Sequence, residues 1–251
     1  MLFRSLVEKT RLLGWNFVGP SLYDVSSKHK PTVFHSGCSR LVSEVLHQAH
    51  QDMNLGRVYL AGVSMGGNIL LKMIGEWGDE PPAWVRGAAA ISPLTDLVGS
   101  CRKLDRPACF IYRKRFVRNL QDTMLRDAVR YQNYLDSARV MKARSIREFD
   151  QAFTVPLSGF ASPDEYYQTQ GAQDHLASIR IPAYIIHSLD DPVLTSSGLE
   201  SEAVRGNPWI TLCLTRHGGH VGFVASRPGE NRFWAEARII EFLSRLERKE
   251  N

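Results

Sequence analysis

Several things are missing from this 251-residue chain, and each absence removes a class of protein. No apolar stretch is long enough to cross a bilayer, which takes about 20 residues as a helix. Cysteine is sparse: Cys38, Cys101, Cys109 and Cys213 form no C-x-x-C pair and have no zinc-ligand neighbours. A disulfide scaffold is therefore excluded, and the expectation is ordinary reduced thiols in a cytoplasmic protein. There is no H-E-x-x-H helix for a metal, and G-V-S-M-G-G-N has neither the spacing nor the lysine of a phosphate loop, so neither a metal site nor a phosphate loop is expected. Repeats and low-complexity tracts are absent. Charge of one sign is also lacking, since 31 basic residues face 26 acidic ones, a net of +5. That excess is too small for a nucleic-acid footprint. The one basic cluster, Arg113, Lys114, Arg115 and Arg118, is interleaved with aromatics and reads as a solvated helix face, ahead of a nucleic-acid or lipid-headgroup patch.

What is present is a hydrophobic content of 43%, enough for a sizeable core. The start, MLFRSLVEKTRLLGW, has apolar residues at helical spacing broken by charges, an amphipathic helix rather than a signal peptide. Trp15 to Val18, closed by Gly19-Pro20, predicts a short buried strand. Ser21 to Ser36 reads as a polar loop and Leu41 to His50 as a helix. Arg57 to Gly62 predicts a buried strand, Gly66 to Trp77 a helix and Gly87 to Ser92 a third strand. The alternation then stops. From about Gly99 to Ala177 the chain has helical spacings and no convincing buried strand. Strands resume at Ile181 to Asp191 and Trp209 to Gly219, followed by an amphipathic helix from Phe233 to Leu246. Helices alternating with buried strands predict an α/β fold, a mostly parallel sheet with helices on both faces. Residues 1–98 and 178–251 would form that core, and 99–177 a helical cap.

The boundary between the second strand and its helix carries chemistry. Ser64 lies in G-V-S-M-G, a form of G-x-S-x-G. A serine hydroxyl is a weak nucleophile, so it must be exposed and presented to a base. A sharp strand-to-helix turn does this, and the turn needs neighbours without bulk. The N–H of Met65, next after the serine, is the expected oxyanion donor, helped by the helix N-terminus just beyond. Such a serine needs a base, and the base an orienting acid, from loops at the carboxyl ends of later strands. S-L-D-D-P offers Asp190 and Asp191; Asp191 lies further past the strand end and is held by Pro192, while Asp190 reads as a loop residue bonding nearby backbone. Asp96 is a weaker alternative, more naturally a turn or cap residue. R-H-G-G-H offers His217 and His220, and His220, beyond the Gly-Gly pair, is placed to swing over a serine. His217 reads as a structural residue at the strand end and His187 as a satisfied core histidine. No role can be derived for His35.

These pieces together resemble a known group. F-H-S-G (34–37), G-V-S-M-G-G-N-I-L (62–70), S-I-R-E-F-D (145–150), G-F-A-S-P-D-E-Y-Y (159–167), I-I-H-S-L-D-D-P (185–192) and H-G-G-H-V-G-F (217–223) run in one order along nearly the whole chain. In that order they are similar to the α/β-hydrolases of the branch holding the bacterial YheT-type esterases and the eukaryotic abhydrolase-domain lipases. The resemblance implies the α/β-hydrolase fold and a triad on Ser64, Asp191 and His220. It implies hydrolysis of carboxylic esters with medium-chain acyl or lipid-like groups, a small-molecule partner, no cofactor, and a lid formed by the insert. Members of that group carry a further segment ahead of the point matching Met1, with the first sheet strands and an H-G loop that completes the oxyanion hole. Their R-G-C-S-G motif reads G-P-S-L-Y-D here, from Gly19 to Asp24. The expectation is thus an N-terminally truncated chain lacking the first strands. Loss of one oxyanion donor costs about 2.7–4 kcal/mol of transition-state stabilisation. The alternative function is accordingly a catalytically impaired hydrolase-fold protein. The sequence sets no oligomeric state.

Overall fold

The computed structural model describes residues 2–19, 33–126, 131, 133–225 and 231–250. Most of the predicted polar loop before Ser36, and Pro20 to Asp24 of G-P-S-L-Y-D, lie outside them. The N-terminal periodicity forms α1 (Leu2–Leu12), and the next helical stretch forms α2 (Ser39–Asp52). Then β1 (Val58–Val63) runs into α3 (Met65–Trp77), and β2 (Val85–Ile91) follows. Next come α4 (Leu97–Leu104) and α5 (Phe110–Arg126). The helical run continues with α6 (Ser137–Lys142), α7 (Ile146–Ala152), α8 (Thr154–Ser158) and α9 (Pro163–Gln170). A 3-10 turn, Ala172–Ser178, leads to β3 (Ala183–Ser188); a short α10 (Glu202–Arg205) precedes β4 (Ile210–Thr215), and α11 (Trp234–Glu250) closes the chain.

The four strands lie in sequence order, β1-β2-β3-β4, and every pair is parallel. Parallel neighbours need crossovers, and the crossovers cover both faces. Successive side chains on a strand point to opposite faces. Ala88 and Ala90 of β2 and Ala183 and Ile185 of β3 therefore meet Leu71, Met73 and Ile74 of α3 in one buried layer. Ala89, Ile91 and Ile186 meet Leu6 of α1 and Ile239 and Leu243 of α11 in the other. The alanines of β2 let helices approach both sides of the central strands. A separate cluster, Met124, Tyr131, Val140, Phe149 and Phe153, forms within the helical segment between β2 and β3.

Two sequence expectations need correction. Residues 15–19 form no strand: Phe17 and Val18 are exposed, and only Trp15 packs, stacking on Tyr59 at 5.1 Å and donating its indole N–H to Glu247. A short apolar run containing Asn16 is held here by one side chain, without a backbone ladder. The strand predicted at Arg57–Gly62 is present but only half buried, because β1 is an edge of the described sheet.

Candidate active site

The carboxyl ends of β1, β3 and β4 lie at one end of the sheet, and each leads into a segment that carries a chemically able side chain. Ser64 follows β1 directly. Its backbone sits at φ 55°, ψ −120°, a left-handed setting that costs a non-glycine residue about 1–3 kcal/mol. The surroundings enforce it: Ser64 N–H donates to Ile91 O at 2.9 Å, and Ser64 O accepts from Asn68 N–H and Leu94 N–H. A Cβ on Gly62 would come within 2.5 Å of Gly66 O and 2.9 Å of Gly67 N. Glycine at 62 is what allows β1 and the first turn of α3 to touch. Gly66, the second glycine of the motif, has open space around its own Cα; the second tight approach is at Gly67, against Pro93. Met65 is the first residue of α3, so its N–H has no acceptor within the helix and sits beside the Ser64 hydroxyl.

His220 is brought to the serine by the loop after β4. Gly219 turns the chain at φ 60°, and Phe223 N–H closes the turn on Gly218 O at 3.0 Å. His220 Nε2 lies 3.0 Å from Ser64 Oγ, and His220 Nδ1 lies 2.8 Å from Asp191 Oδ2. Asp191 is 1% exposed. Its other oxygen accepts the N–H groups of Val193, at 2.8 Å, and Leu194, at 3.0 Å. Burial alone would raise the Asp191 pKa; the hydrogen bond and charge of His220, with the two backbone donors, outweigh it and hold the carboxyl below its usual value. An ionised carboxylate only accepts, so Nδ1 carries the ring proton and Nε2 is left to receive one from Ser64.

The neighbouring pair does different work. Asp190 is half exposed and binds backbone and side chains across the two loops. One oxygen accepts Gly219 N–H at 2.8 Å and the Ser188 hydroxyl, and the other faces His217 Nδ1 at 3.3 Å. Led by the Ser188 and Gly219 hydrogen bonds, these contacts pull its pKa down to about 2. His217 is exposed and is not joined to Ser64. Asp190 thus ties the acid-bearing loop to the histidine-bearing loop.

The remaining candidates fall away from the serine. Asp96 caps α4, accepting Gly99 N–H at 2.7 Å. His35 sits between the Phe160 and Tyr166 rings, and its Nδ1 accepts Gly37 N–H at 3.0 Å; burial, aided by Lys72, pulls its pKa down to about 4. His187 is a core residue as expected, yet not a satisfied one, for its Nδ1 has no hydrogen-bond partner among the described residues. Burial lowers its pKa.

Sequence reasoning missed two residues that shape the site. Lys103 of α4 donates to Asp191 O at 2.6 Å and Leu194 O at 2.7 Å, gripping the acid loop from the helical segment. Asn68 of α3, fully buried, donates to Ser36 O and Gln170 O and accepts Ala172 N–H at 2.7 Å. A lysine or an asparagine inside an ordinary helical pattern carries no signal of such distant partners. Phe116 of α5 meets the His220 ring edge-to-face, with ring centres 6.5 Å apart, so the helical segment borders the base. No group of three or more metal-ligating side chains occurs among the described residues, and no described helix is long and apolar enough to cross a membrane.

Comparison with known proteins agrees with this fold. Residues 22–156 match a family model described as the α/β-hydrolase fold. The chain is similar to phospholipase ABHD3 of Bos taurus, 29% identical over 222 residues, which cover 87% of this chain and 54% of that one. It is similar to YheT of Escherichia coli (strain K12), 27% identical over 247 residues, covering 96% of this chain and 71% of the relative. Among solved structures, the monoacylglycerol lipase of Paleococcus ferrophilus shares the fold at a TM-score of 0.51 and 14% identity, covering 98% of this chain and 89% of that one. The chain spans about half the length of the ABHD3 phospholipases it matches, 54% of the bovine and 44% of the human protein.

Proposed function

The chain belongs to the α/β-hydrolase family, and on that premise we propose that it hydrolyses carboxylic esters through an acyl-enzyme formed on Ser64. The observation that carries this reading is the unbroken run from Ser64 Oγ to His220 Nε2 and from His220 Nδ1 to Asp191 Oδ2, at 3.0 and 2.8 Å. Ser64 attacks the ester carbonyl while His220 takes its proton. Asp191 holds the imidazole tautomer and stabilises the imidazolium. The N–H of Met65 steadies the oxyanion, helped by the positive end of α3. His220 then returns the proton to the departing alkoxide. Water, activated by the same histidine, attacks the acyl group and regenerates the serine.

The substrate class in this reading is a small ester with a medium-chain acyl or lipid-like group. It is supported by relatives named as a phospholipase and a monoacylglycerol lipase. We assign residues 99–177 the role of a cap over the acyl chain, with 1–98 and 178–251 as the core; the contact of Phe116 with the His220 ring supports this division.

The test is labelling by a fluorophosphonate probe, with hydrolysis of a short-chain aryl ester measured in parallel. The expected result is one adduct on Ser64, with both labelling and turnover abolished in Ser64→Ala. Undiminished hydrolysis by Ser64→Ala overturns the assignment. A folded chain that neither labels nor hydrolyses favours the impaired-hydrolase alternative.

A further inference from the structure

The charge of this chain is unevenly placed. Helix α5 holds Arg113, Lys114, Arg115, Arg118 and Arg126 against a single acid, Asp122, a surplus of four where the whole chain has +5. Its inward face is accounted for: Val117, Gln121 and Met124 are buried, and Gln121 donates to Val140 O, Met141 O and Ala143 O. Arg113 is also engaged, donating to Leu104 O and Asp105 O and lying 5.8 Å from the centre of the Phe110 ring. The outward face is not. Ile111 is 76% exposed, with Tyr112 and Leu125 also exposed. Lys114, Arg115 and Arg118 stand out beside them, without an ion-pair partner among the described residues. At 100° per residue, Ile111, Lys114, Arg118 and Leu125 share one stripe.

A purely solvated face needs no isoleucine in the open, and a purely apolar contact would not surround it with cations. Large apolar side chains among unpaired lysine and arginine on a helix held rigidly from beneath match a surface that is anionic outside and apolar just below. We propose that the outward face of α5 docks on an anionic lipid bilayer, with Ile111 and Leu125 entering the acyl boundary and Lys114, Arg115 and Arg118 meeting the headgroups. Phe116, on the same helix, borders His220. Docking would therefore hold the serine site close to the membrane, with α5 between them. That consequence rests on the ester-hydrolysis reading; the docking itself does not.

The experiment uses the full chain carrying Ser64→Ala, so binding is read without turnover. It is sedimented with phosphatidylcholine vesicles, with or without phosphatidylserine. The expected result is binding to the anionic vesicles alone, weakened by added salt. Each cation near an anionic surface is worth about a fivefold factor, so Lys114→Glu/Arg115→Glu/Arg118→Glu should weaken partitioning by about a hundredfold or more. Ile111→Ser should weaken it by about tenfold, and Arg248→Glu, on α11, should leave it unchanged. Circular dichroism reports whether each variant is folded, and Arg118→Gln alone is the milder variant if the triple one is not. Equal binding to neutral and anionic vesicles overturns the proposal. So does an unchanged α5 variant, a loss as large in Arg248→Glu, or tighter binding to a duplex DNA oligonucleotide than to vesicles.

Discussion

Asp190 and Asp191 are adjacent in sequence and should respond very differently to the same change. In Asp191→Asn the amide oxygen can keep the N–H groups of Val193 and Leu194, now at 2.8 and 3.0 Å, so the fold of the loop survives. The amide NH₂ then faces His220 Nδ1, where the carboxylate oxygen stood at 2.8 Å. Two donors cannot face each other, so Nδ1 must become the acceptor and the ring proton moves to Nε2. That proton points at Ser64 Oγ, 3.0 Å away, and the ring can no longer take the serine's proton. The wrong-tautomer penalty is about 10⁴ in kcat, or about 5.4 kcal/mol of barrier. KM should change little, because no group touching substrate is removed. Asp190→Asn keeps an oxygen for Gly219 N–H and changes nothing at His220, so its kcat should remain within about tenfold of the parent, as for a surface change away from the reacting atoms. Steady-state hydrolysis of an aryl ester, with thermal unfolding to verify the fold, measures both. If Asp191→Asn keeps near-parental kcat while Asp190→Asn collapses, the reasoning about which carboxylate orients the base is wrong.

Two further outcomes follow from the packing. Gly62→Ala puts a methyl within 2.5 Å of Gly66 O, a backbone atom that cannot rotate away; α3 must shift, with a stability loss of about 3 kcal/mol by urea denaturation and slower Ser64 labelling, and a fully stable variant would contradict the contact. Asp150, 7% exposed and hydrogen-bonded to Thr154 and Tyr167, has its pKa raised by burial to about 6. A raised carboxyl stabilises the folded state below the unfolded value near 3.8, and that contribution is lost as pH climbs to about 6. Relative to the parent, Asp150→Asn should therefore gain about 2 kcal/mol of stability between pH 4 and 6.5. The pKa of His35, lowered by burial to about 4, gives a slope of opposite sign that cancels in the difference. Parallel stability curves for parent and Asp150→Asn would refute the Asp150 account.

Much of this architecture is local in origin and so could be read from the chain. A strand ending in Val63 and a helix beginning at Met65 leave one residue, Ser64, for the bend; periodicity and glycine placement suffice to locate it. The parallel sheet follows from strands separated by helices, and the helical segment between β2 and β3 from the change of period after Ile91. Other features depend on partners far away in sequence. Whether an apolar run becomes a strand depends on a neighbour to bond, which Trp15 to Val18 do not find among the described strands. Which of two adjacent aspartates turns inward depends on donors at Val193, Leu194 and His220 for one, and at Ser188 and Gly219 for the other. The reach of Lys103 to the acid loop and of Asn68 to three distant backbone groups exists only once the helices are stacked on the sheet. The sequence by itself determined the elements, their order and the bend that exposes a hydroxyl, because dihedral preference and periodicity act over a few residues. Tertiary structure alone brought one imidazole to that hydroxyl and one carboxylate to that imidazole, because hydrogen bonds between loops are set by the packing that brings the loops together.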